Sequence, residues 1–432
     1  MINPELKTIK LSKIVFDEVV YPRKNHDPVL VQRYADVLGE IEAAQKYMTV
    51  SEDMKLLDGK HRWLAYRKLY GEQDPEVKVL VYPVSTPHEQ LKLAAELNSN
   101  HGWQLTEEDK EATAKTFFAY GMTYDEIASV LSVGKVKVSK WLARTIKERK
   151  DRRNKKIFEM WLSCHTQEEI ADAVEEPLGT VKRLTSNGED SLVQKVLQNQ
   201  TNQAAANHLV DFTSPVYNIW RQQEKTPGPN HFGNSETKWV DNLLYLYTQP
   251  FDIIVDPFAG GGSTIDICKK RLRRYWVSDR KPIVEREKEI RQWDITDGLP
   301  PLSRWQDVKL IYLDPPYWKQ AEERYSSDPT DLANMSLDQF NKTLAGIINC
   351  FGKKIPAGAV IVLIIQPTQW KAPDRQFTDH VGDMLRMVKL PVDMRFSVPY
   401  ESQQCTAQMV DWAKQSKRCL VLTREIVVWR RD

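Results

Sequence analysis

Cysteine is scarce and scattered in this chain of 432 residues. Neither the close pairing of a disulfide framework nor the spacing of a metal site is present, which fits a reducing cytoplasm. The five cysteines are Cys164, Cys268, Cys350, Cys405 and Cys419. Long apolar runs are missing too: the longest, 359–365, predicts one buried strand and is far too short to span a bilayer. No charged and apolar leader follows Met1, so we expect no secretory signal and no membrane partner.

The chain also lacks a strong overall charge. Its formal net charge is +2, so the whole-chain balance identifies no partner. The charge is unevenly distributed, because residues 135–156 contain eleven Lys or Arg residues against only Glu148 and Asp151. Such a run is either a solvated helix face or a surface that contacts phosphates. The chain length predicts two or three domains.

Two short segments of the C-terminal half carry the strongest signal, Asp256-Pro-Phe-Ala-Gly-Gly-Gly-Ser-Thr264 and Asp314-Pro-Pro-Tyr317. Each follows a strand-like apolar run. A Gly-rich turn between a strand and a helix brings backbone N–H groups close to a ligand. A third strand-like run, between the two segments, ends in Asp279, where a carboxylate would accept hydrogen bonds from ribose hydroxyls. Because ligands of open α/β sheets bind at the carboxyl ends of the strands, we expect one shared site.

Together the two segments resemble the cofactor and catalytic sites of amino-group DNA methyltransferases, which methylate adenine N6 or cytosine N4. The resemblance implies S-adenosylmethionine as the cofactor. Asp256 and Phe258 would position it, Gly260 and Gly262 would permit close backbone approach, and Asp279 would bind its ribose.

Two further cofactor assignments leave alternatives open. Lys238 would pair with the methionyl carboxylate, or it is a surface lysine at a helix start. Asp294 would lie near the cofactor adenine, or it is a solvent-exposed acid. Residues 319–336 are polar and are typical of a loop that closes over substrate.

The resemblance assigns catalysis to Asp314, Pro315, Pro316 and Tyr317. Asp314 and the carbonyl of Pro315 would each accept one hydrogen of the amino group, which aims the nitrogen lone pair at the methyl group. Pro316 would fix the second carbonyl of the loop, and Tyr317 would stack on a base flipped out of the duplex. Trp318 either stacks as well or belongs to the core.

Aspartate at position 314 favours adenine N6, because cytosine-N4 enzymes more often carry serine there. Three alternatives remain: a cytosine-N4 methyltransferase, a non-catalytic DNA-binding regulator or partition protein, and an enzyme that acts on RNA or a free base. No large inserted recognition domain separates the two motifs, so target recognition is expected from residues 366–417, from the N-terminal half or from a partner.

The first hundred residues predict a mixed α+β unit, in which residues 8–20 are strand-like. The segment Leu56-Leu-Asp-Gly59-Lys60-His61-Arg62 resembles the phosphate-binding turn of ParB-like domains. Gly59, His61 and Arg62 are therefore candidates for binding a nucleotide or phosphate. The alternative is a Gly-terminated strand followed by a basic helix start. Lys60 departs from the acid that family members often carry, so the nucleotide is left open.

Two helix-turn-helix units are predicted next. Thr123 with Glu126, and Thr166 with Glu169, each form a capping-box pattern at a helix start. Recognition helices read bases from their N-terminal residues, and neighbouring basic groups hold phosphates, so we expect duplex DNA as the partner. The alternative is a purely structural helical bundle. The candidate DNA-binding residues are Lys135, Lys137, Ser139, Lys140, Lys182 and Arg183.

These predictions combine into one organisation: an α/β fold with a Rossmann-like S-adenosylmethionine-dependent methyltransferase domain, preceded by an α+β ParB-like domain and helix-turn-helix helices. The expected boundaries are 1–104 for the ParB-like domain, 105–186 for the helix-turn-helix region, 187–210 for a linker and 211–432 for the methyltransferase. This combination resembles proteins of phages and mobile elements, which implies the cytoplasm of a bacterial or phage-infected cell. No metal is expected, and a homodimer is left open.

Overall fold

The computed structural model describes residues 3–100, 105–186, 188–189, 191–196, 198, 212–221, 236–319, 327–369, 377–399 and 406–432. The chain divides into two compact units, Met1–Arg152 and Arg153–Asp432. The boundaries predicted at 104, 186 and 210 do not coincide with this division and stay predictions, and most of the predicted linker lies outside the described residues. Within the described residues, no helix has the length and apolar composition needed to cross a membrane.

The first unit contains a four-stranded sheet whose strand order is β1-β4-β2-β3. Its strands are β1 (Glu5–Lys10), β2 (Met48–Ser51), β3 (Leu56–Asp58) and β4 (Glu76–Tyr82). The strand expected over 8–20 is shorter and begins earlier. The pairing of β1 with β4 ends at Lys10. Leu11 starts a 3-10 turn, and the Leu11 N–H donates to the carbonyl of Pro75.

The helices of the first unit surround this sheet and continue beyond it. They are α1 (Pro28–Asp36), α2 (Leu38–Ala43), α3 (Lys60–Tyr70), α4 (Pro87–Asn100), α5 (Glu107–Ala119), α6 (Tyr124–Val130) and the start of α7 (Lys135–Leu162). The predicted capping box is present at α6, where the Thr123 side chain accepts from the Glu126 N–H and the Glu126 carboxylate accepts from the Thr123 N–H. The division between the two units lies inside α7.

The second unit contains a seven-stranded sheet whose strand order is β12-β13-β9-β8-β5-β6-β7. Its strands are β5 (Ile253–Asp256), β6 (Arg274–Asp279), β7 (Arg291–Gln292), β8 (Val308–Leu313), β9 (Val360–Ile365), β12 (Val392–Pro399) and β13 (Thr423–Arg430). All run in one direction except β13, which is antiparallel to both of its neighbours. Two short strands, β10 (Thr368–Gln369) and β11 (Phe377–Thr378), form a separate ribbon.

Helices cover both faces of this sheet. Successive residues of β5 point to opposite faces, so Ile254 joins one core while Ile253 and Val255 join the other. The first face packs against α10 (Thr237–Tyr247), α11 (Ser263–Lys270), the end of α7, α8 (Gln167–Val174) and α9 (Leu178–Leu184). The second face packs against α12 (Leu337–Lys354) and α13 (His380–Met387). The expected α/β, Rossmann-like fold is confirmed by this order of strands and helices. A further helix, α14 (Ala407–Gln415), precedes β13.

The second predicted helix pair is part of the second unit. Its capping box is present, with the Thr166 side chain accepting from the Glu169 N–H. Trp161 at the end of α7 is buried in the same core as the sheet, and Arg274 donates to the carbonyl of Trp161 at 3.3 Å. Arg291 donates to the carbonyl of Ser163 at 2.6 Å, so these contacts tie the helix pair to β6 and β7.

Candidate active site

The two sequence motifs meet at the carboxyl edge of the sheet. From β5 the chain continues to β6 on one side, while β8 lies on the other side of β5, so the strand order reverses at β5. Ligands of open α/β sheets bind at such a reversal. A cavity of about 650 Å³ lies there, and Asp256, Asp279 and Asp314 at the ends of three strands are among the residues that line it.

The cavity is acidic. Among the residues that the structure describes, seven carboxyl side chains line it against the two cations Arg280 and Lys281. The acids are Asp256, Asp279, Glu285, Asp294, Asp314, Asp328 and Asp331. A surface of this charge favours a cationic ligand, and it disfavours ligands whose only charge is negative.

Asp256 organises the Gly-rich loop from the inside. Its side chain is buried, and one carboxylate oxygen accepts from the backbone N–H of Phe258 at 2.9 Å. The other oxygen accepts from the hydroxyl of Thr264 at 2.6 Å, so the carboxylate ties the start of the loop to α11. Burial raises the pKa of Asp256 to about 7, and the nearby charges of Asp314 and Asp279 raise this pKa as well.

Two glycines of the loop have backbone conformations that other residues rarely adopt. Gly260 has φ +50° and Gly262 has φ +79°. The N–H of Gly260 donates to the Asp279 carboxylate at 3.1 Å, which links the loop to the end of β6. At Gly262 a Cβ would lie 2.6 Å from the guanidinium of Arg286, which donates to the Gly262 carbonyl at 2.7 Å. Gly262 does not line the cavity. Its positive φ and the close contact with Arg286 explain why this position is occupied by glycine.

Arg280 joins two parts of the cavity wall. Its guanidinium lies 3.0 Å from the carboxylate of Asp294 and 2.6 Å from that of Asp328, and it donates to the hydroxyl of Thr330. Asp294, predicted to lie near the cofactor adenine, does line the cavity, but its carboxylate also accepts from the N–H and the hydroxyl of Thr296. Asp328 belongs to the loop predicted over 319–336, of which 320–326 lie outside the described residues.

The second motif places a carboxyl group beside an aromatic ring. The hydroxyl of Tyr317 donates to Asp314 at 2.9 Å. Burial raises the pKa of Asp314 to about 6, while the charge of Arg424 and the Tyr317 hydrogen bond lower it. Tyr317, predicted to stack on a flipped base, is thus engaged with Asp314. Pro316 lines the cavity, and Pro315 is buried and is not among the lining residues.

Two of the predicted aromatic and basic contacts lie away from the cavity. Trp318 is buried and donates to the carbonyl of Met335 at 2.8 Å, so it belongs to the core. Lys238 does not line the cavity, and its ammonium lies 4.7 Å from the centre of the Phe212 ring. Phe258 does line the cavity, as its predicted role requires.

The cavity fits S-adenosylmethionine in size and charge. Its volume lies within the range of small-molecule sites, and the acidic lining suits the positive sulfonium of that cofactor. Asp279 accepts backbone N–H groups from Gly260 and Lys281 and lines the cavity at the end of β6, a position that suits a hydrogen-bond donor such as a ribose hydroxyl.

Sequence reasoning did not identify Thr264, Arg280 or Arg424 as parts of this site. Thr264 ends the Gly-rich segment, and a hydroxyl at a helix start after a Gly turn is the signal from which its role was predictable. Arg280 follows Asp279 directly, although nothing in the sequence indicates its partners. Arg424 is far from Asp314 along the chain and carries no local signal.

The candidate phosphate-binding residues of the first unit make internal contacts. The guanidinium of Arg62 donates to the carbonyls of Lys46 and Tyr47 at 2.6 and 2.7 Å and pairs with Asp58 at 2.8 Å. His61 is buried, burial lowers its pKa to about 4, and its Nε2 accepts from the N–H of Asp27 at 3.0 Å. Gly59 adopts φ +97° at the start of α3. These contacts give all three residues a structural role and add no support for phosphate binding.

The candidate DNA-binding residues are exposed; those of α7 lie in its first turns and those of α9 lie in its last turn. They are Lys135, Lys137, Ser139 and Lys140 on α7, and Lys182 and Arg183 on α9. Two of these lysines pair with acids of their own unit: Lys135 with Asp125 at 2.7 Å, and Lys137 with Glu107 at 2.5 Å. These surface pairs contribute little stability, so they do not prevent phosphate contacts.

Residues 107–285 match the family model N6_N4_Mtase, whose members are DNA methylases. The match spans less than half of the chain; it includes the Gly-rich loop and Asp279 and ends before Asp314. It confirms the resemblance to amino-group DNA methyltransferases, and S-adenosylmethionine is the cofactor of such a domain. Among curated proteins, no relative matches the chain at a significant level.

Solved structures with similarity to this chain include partition proteins and methyltransferases. ParB from Caulobacter crescentus, complexed to the centromeric parS site, is 12% identical over 45% of this chain and 92% of its own, with a TM-score of 0.24. TrmN from Thermus thermophilus is 13% identical over 45% of this chain and 49% of its own, with a TM-score of 0.29.

A third similar structure is the 1,6-didemethyltoxoflavin-N1-methyltransferase of Burkholderia thailandensis, solved with bound S-adenosylhomocysteine. It is 15% identical over 45% of this chain and 77% of its own, with a TM-score of 0.27. All three TM-scores are below 0.5, so these similarities carry no argument about this chain.

Proposed function

We propose that this protein transfers a methyl group from S-adenosylmethionine to N6 of adenine in duplex DNA. The observation that carries the proposal is the position of Asp314, whose carboxyl group lines the same acidic cavity as the Gly-rich loop. A hydrogen-bond acceptor for an amino group and a cofactor site thus share one edge of the sheet.

S-adenosylmethionine supplies an electrophilic methyl group when it is bound. The amino nitrogen of adenine is a poor nucleophile, because its lone pair is delocalised into the ring. Asp314 and the carbonyl of Pro315 each accept one N–H of that amino group, which directs the lone pair away from the ring plane. Positioning and fixed dipoles therefore provide most of the catalysis. As the new N–C bond forms, the bond between the methyl carbon and the sulfur breaks, S-adenosylhomocysteine leaves, and the amino proton passes to solvent.

The ionisation of Asp314 supports this role. With a pKa of about 6, the carboxyl group is mostly ionised near pH 7 and can act as an acceptor. The aspartate itself favours adenine over cytosine, since cytosine-N4 enzymes of the resembled family more often carry serine there. Tyr317 keeps its proposed place beside the target base.

The first unit supports DNA as the substrate. The exposed basic start of α7 follows the short helix α6, in the arrangement of a recognition helix after a turn. We assign phosphate contacts to Lys137 and Lys140. The ParB-like segment would add DNA affinity, and a nucleotide ligand there is a further candidate.

The decisive experiment uses the full chain, labelled S-adenosylmethionine and mixed-sequence duplex DNA, followed by digestion to nucleosides and mass spectrometry. Asp314→Asn keeps the shape of the side chain and removes its charge, so the rate should fall by about 100-fold or more. Asp297→Asn is the control, because Asp297 is exposed on the surface and does not line the cavity.

N6-methyladenine from the parent and the control, but not from Asp314→Asn, would support the proposal. Methylated cytosine N4 would keep the mechanism and contradict the assigned base. An absence of any methylated base, with cofactor and DNA both bound in separate titrations, would contradict the enzymatic function and favour the regulator.

A further inference from the structure

Arg424 lies beside the catalytic motif although it belongs to a distant part of the chain. It is the second residue of β13, where it pairs with Val398 of β12. Because β13 runs antiparallel to the other strands, its beginning lies at the carboxyl edge of the sheet. Its next residue, Glu425, pairs with Ile365 at the end of β9. The topology therefore brings an arginine to the edge where the site lies.

The guanidinium contacts two aromatic rings. Its central carbon lies 5.3 Å from the centre of the Tyr317 ring and 5.7 Å from that of Trp239. Trp239 is buried in α10, so its ring is held in place by packing and provides a fixed surface against which the guanidinium packs. A cation at these distances is attracted to both ring faces. The Tyr317 hydroxyl in turn donates to Asp314 at 2.9 Å.

We propose that Arg424 is a positioning residue of the methyl-transfer site, which holds the Tyr317 ring in place and keeps Asp314 anionic near neutral pH. This inference rests on the function proposed above. Arg424 touches neither substrate nor cofactor in this role. It acts through the aromatic ring and through its charge.

The electrostatic part of the role follows from the groups around Asp314. Burial favours the protonated acid, and Asp256 at the end of β5 adds a second carboxyl group whose charge couples to that of Asp314. Tyr317 contributes a neutral donor from the same loop, and Arg424 contributes a full positive charge from β13. An opposite charge at short range lowers the pKa of a carboxyl group by about one to three pH units. Without Arg424, a larger fraction of Asp314 would be protonated at neutral pH and could not accept from the amino group.

The test is the pH dependence of kcat, measured between pH 5 and 9 at saturating cofactor and duplex DNA. In the parent, activity should rise through about pH 6, as Asp314 ionises. In Arg424→Gln this rise should move to higher pH by about one pH unit. Arg424→Lys keeps the charge but loses the planar stacking, so the rise should stay near that of the parent while kcat falls.

The matched control is Arg430→Gln, at the other end of the same strand, where Arg430 pairs with Asp393 on the surface. Its profile should coincide with that of the parent. A parent-like profile for Arg424→Gln, whatever its kcat, would overturn the inference, because a merely structural role lowers kcat at every pH without moving the profile.

A second measurement does not depend on catalysis, so it separates a failure of this inference from a failure of the proposed function. The folded state keeps Asp314 protonated to a higher pH in Arg424→Gln, so the loss of Tm relative to the parent should be larger at pH 8 than at pH 5, by about 2 to 4 °C. The difference should vanish when Asp314→Asn is present in both proteins. An equal loss of Tm at both pH values, or a difference that survives Asp314→Asn, would overturn the inference even if the parent transferred no methyl group.

Discussion

The hydrogen bond between Thr264 and Asp256 offers a direct test of how the Gly-rich loop is held. Thr264→Val removes the hydroxyl and keeps the shape of the side chain, so one buried oxygen of Asp256 loses the donor that now lies 2.6 Å away. The other oxygen keeps the N–H of Phe258 at 2.9 Å. The backbone of the loop is therefore preserved while its link to α11 is broken.

The expected loss of stability depends on pH, and its sign follows from the pKa of Asp256. The folded-state pKa of about 7 lies above the ordinary value of 3.8, so the parent loses stability as the pH rises from about 4 to about 7. At pH 5 Asp256 is protonated in both folded proteins, and Thr264→Val removes a neutral hydrogen bond of about 1 kcal/mol. At pH 8.5 the lost bond is to a buried anion and should cost about 1.5–3 kcal/mol.

Urea unfolding at pH 5 and pH 8.5, followed by tryptophan fluorescence, measures both free energies. Thr296→Val is the matched control, because the Thr296 hydroxyl also donates to a carboxylate, that of Asp294, but at an exposed position. Its effect should be below about 0.5 kcal/mol at both pH values. A loss for Thr264→Val that is the same at both pH values would refute the reasoning, since it would mean that Asp256 does not change its charge in the folded protein over this range.

Other predictions concern the support of the loop and the DNA surface. Asp241→Asn breaks the buried ion pair with Arg271, in which two hydrogen bonds measure 2.6 Å each. Urea unfolding should show that the free energy of unfolding falls by about 3–5 kcal/mol. A decrease of less than about 1 kcal/mol would contradict this prediction. Gly262→Ala places a Cβ on a residue with φ +79°, so urea unfolding should show a loss of about 1–3 kcal/mol from backbone strain, and an unchanged free energy of unfolding would contradict that strain. Lys140→Gln should reduce the salt dependence of DNA binding by about one phosphate contact in a fluorescence titration, and an unchanged slope would exclude that contact.

The parts of the site that the sequence predicted are those that depend on local chain geometry. The run ending at Asp256 and the turn after it form β5 and the start of α11, and the run before Asp314 forms β8. The capping boxes at Thr123 and Thr166 formed as expected, because their hydrogen bonds join residues three apart. Such features need no knowledge of the rest of the fold.

The parts that the sequence did not predict depend on contacts between distant segments. Asp256 was expected to position the cofactor, and its carboxylate also holds the loop from inside through Thr264. Arg62 was a phosphate-binding candidate, yet the carbonyls that occupy its guanidinium come from residues 46 and 47, which only the folded unit brings near it. Lys238 was expected at the cofactor, but its ammonium lies over Phe212.

Asp256, which is buried, and Asp314, which is half-buried, show why an arginine is needed at only one of these two carboxyl groups. Burial is the main cause that raises the pKa of both, to about 7 for Asp256 and about 6 for Asp314. Within the described part of the chain, the donors to Asp256 are a hydroxyl and a backbone N–H, both neutral, which hold the loop whether or not the acid is ionised. Asp314 must be an acceptor for an amino group, and a protonated acid would present a donor in the wrong place. The charge of Arg424 therefore acts on Asp314, whose ionisation the reaction requires. The Gly-rich loop needs no such charge, because its hydrogen bonds to Asp256 remain when this carboxyl group is half protonated near pH 7.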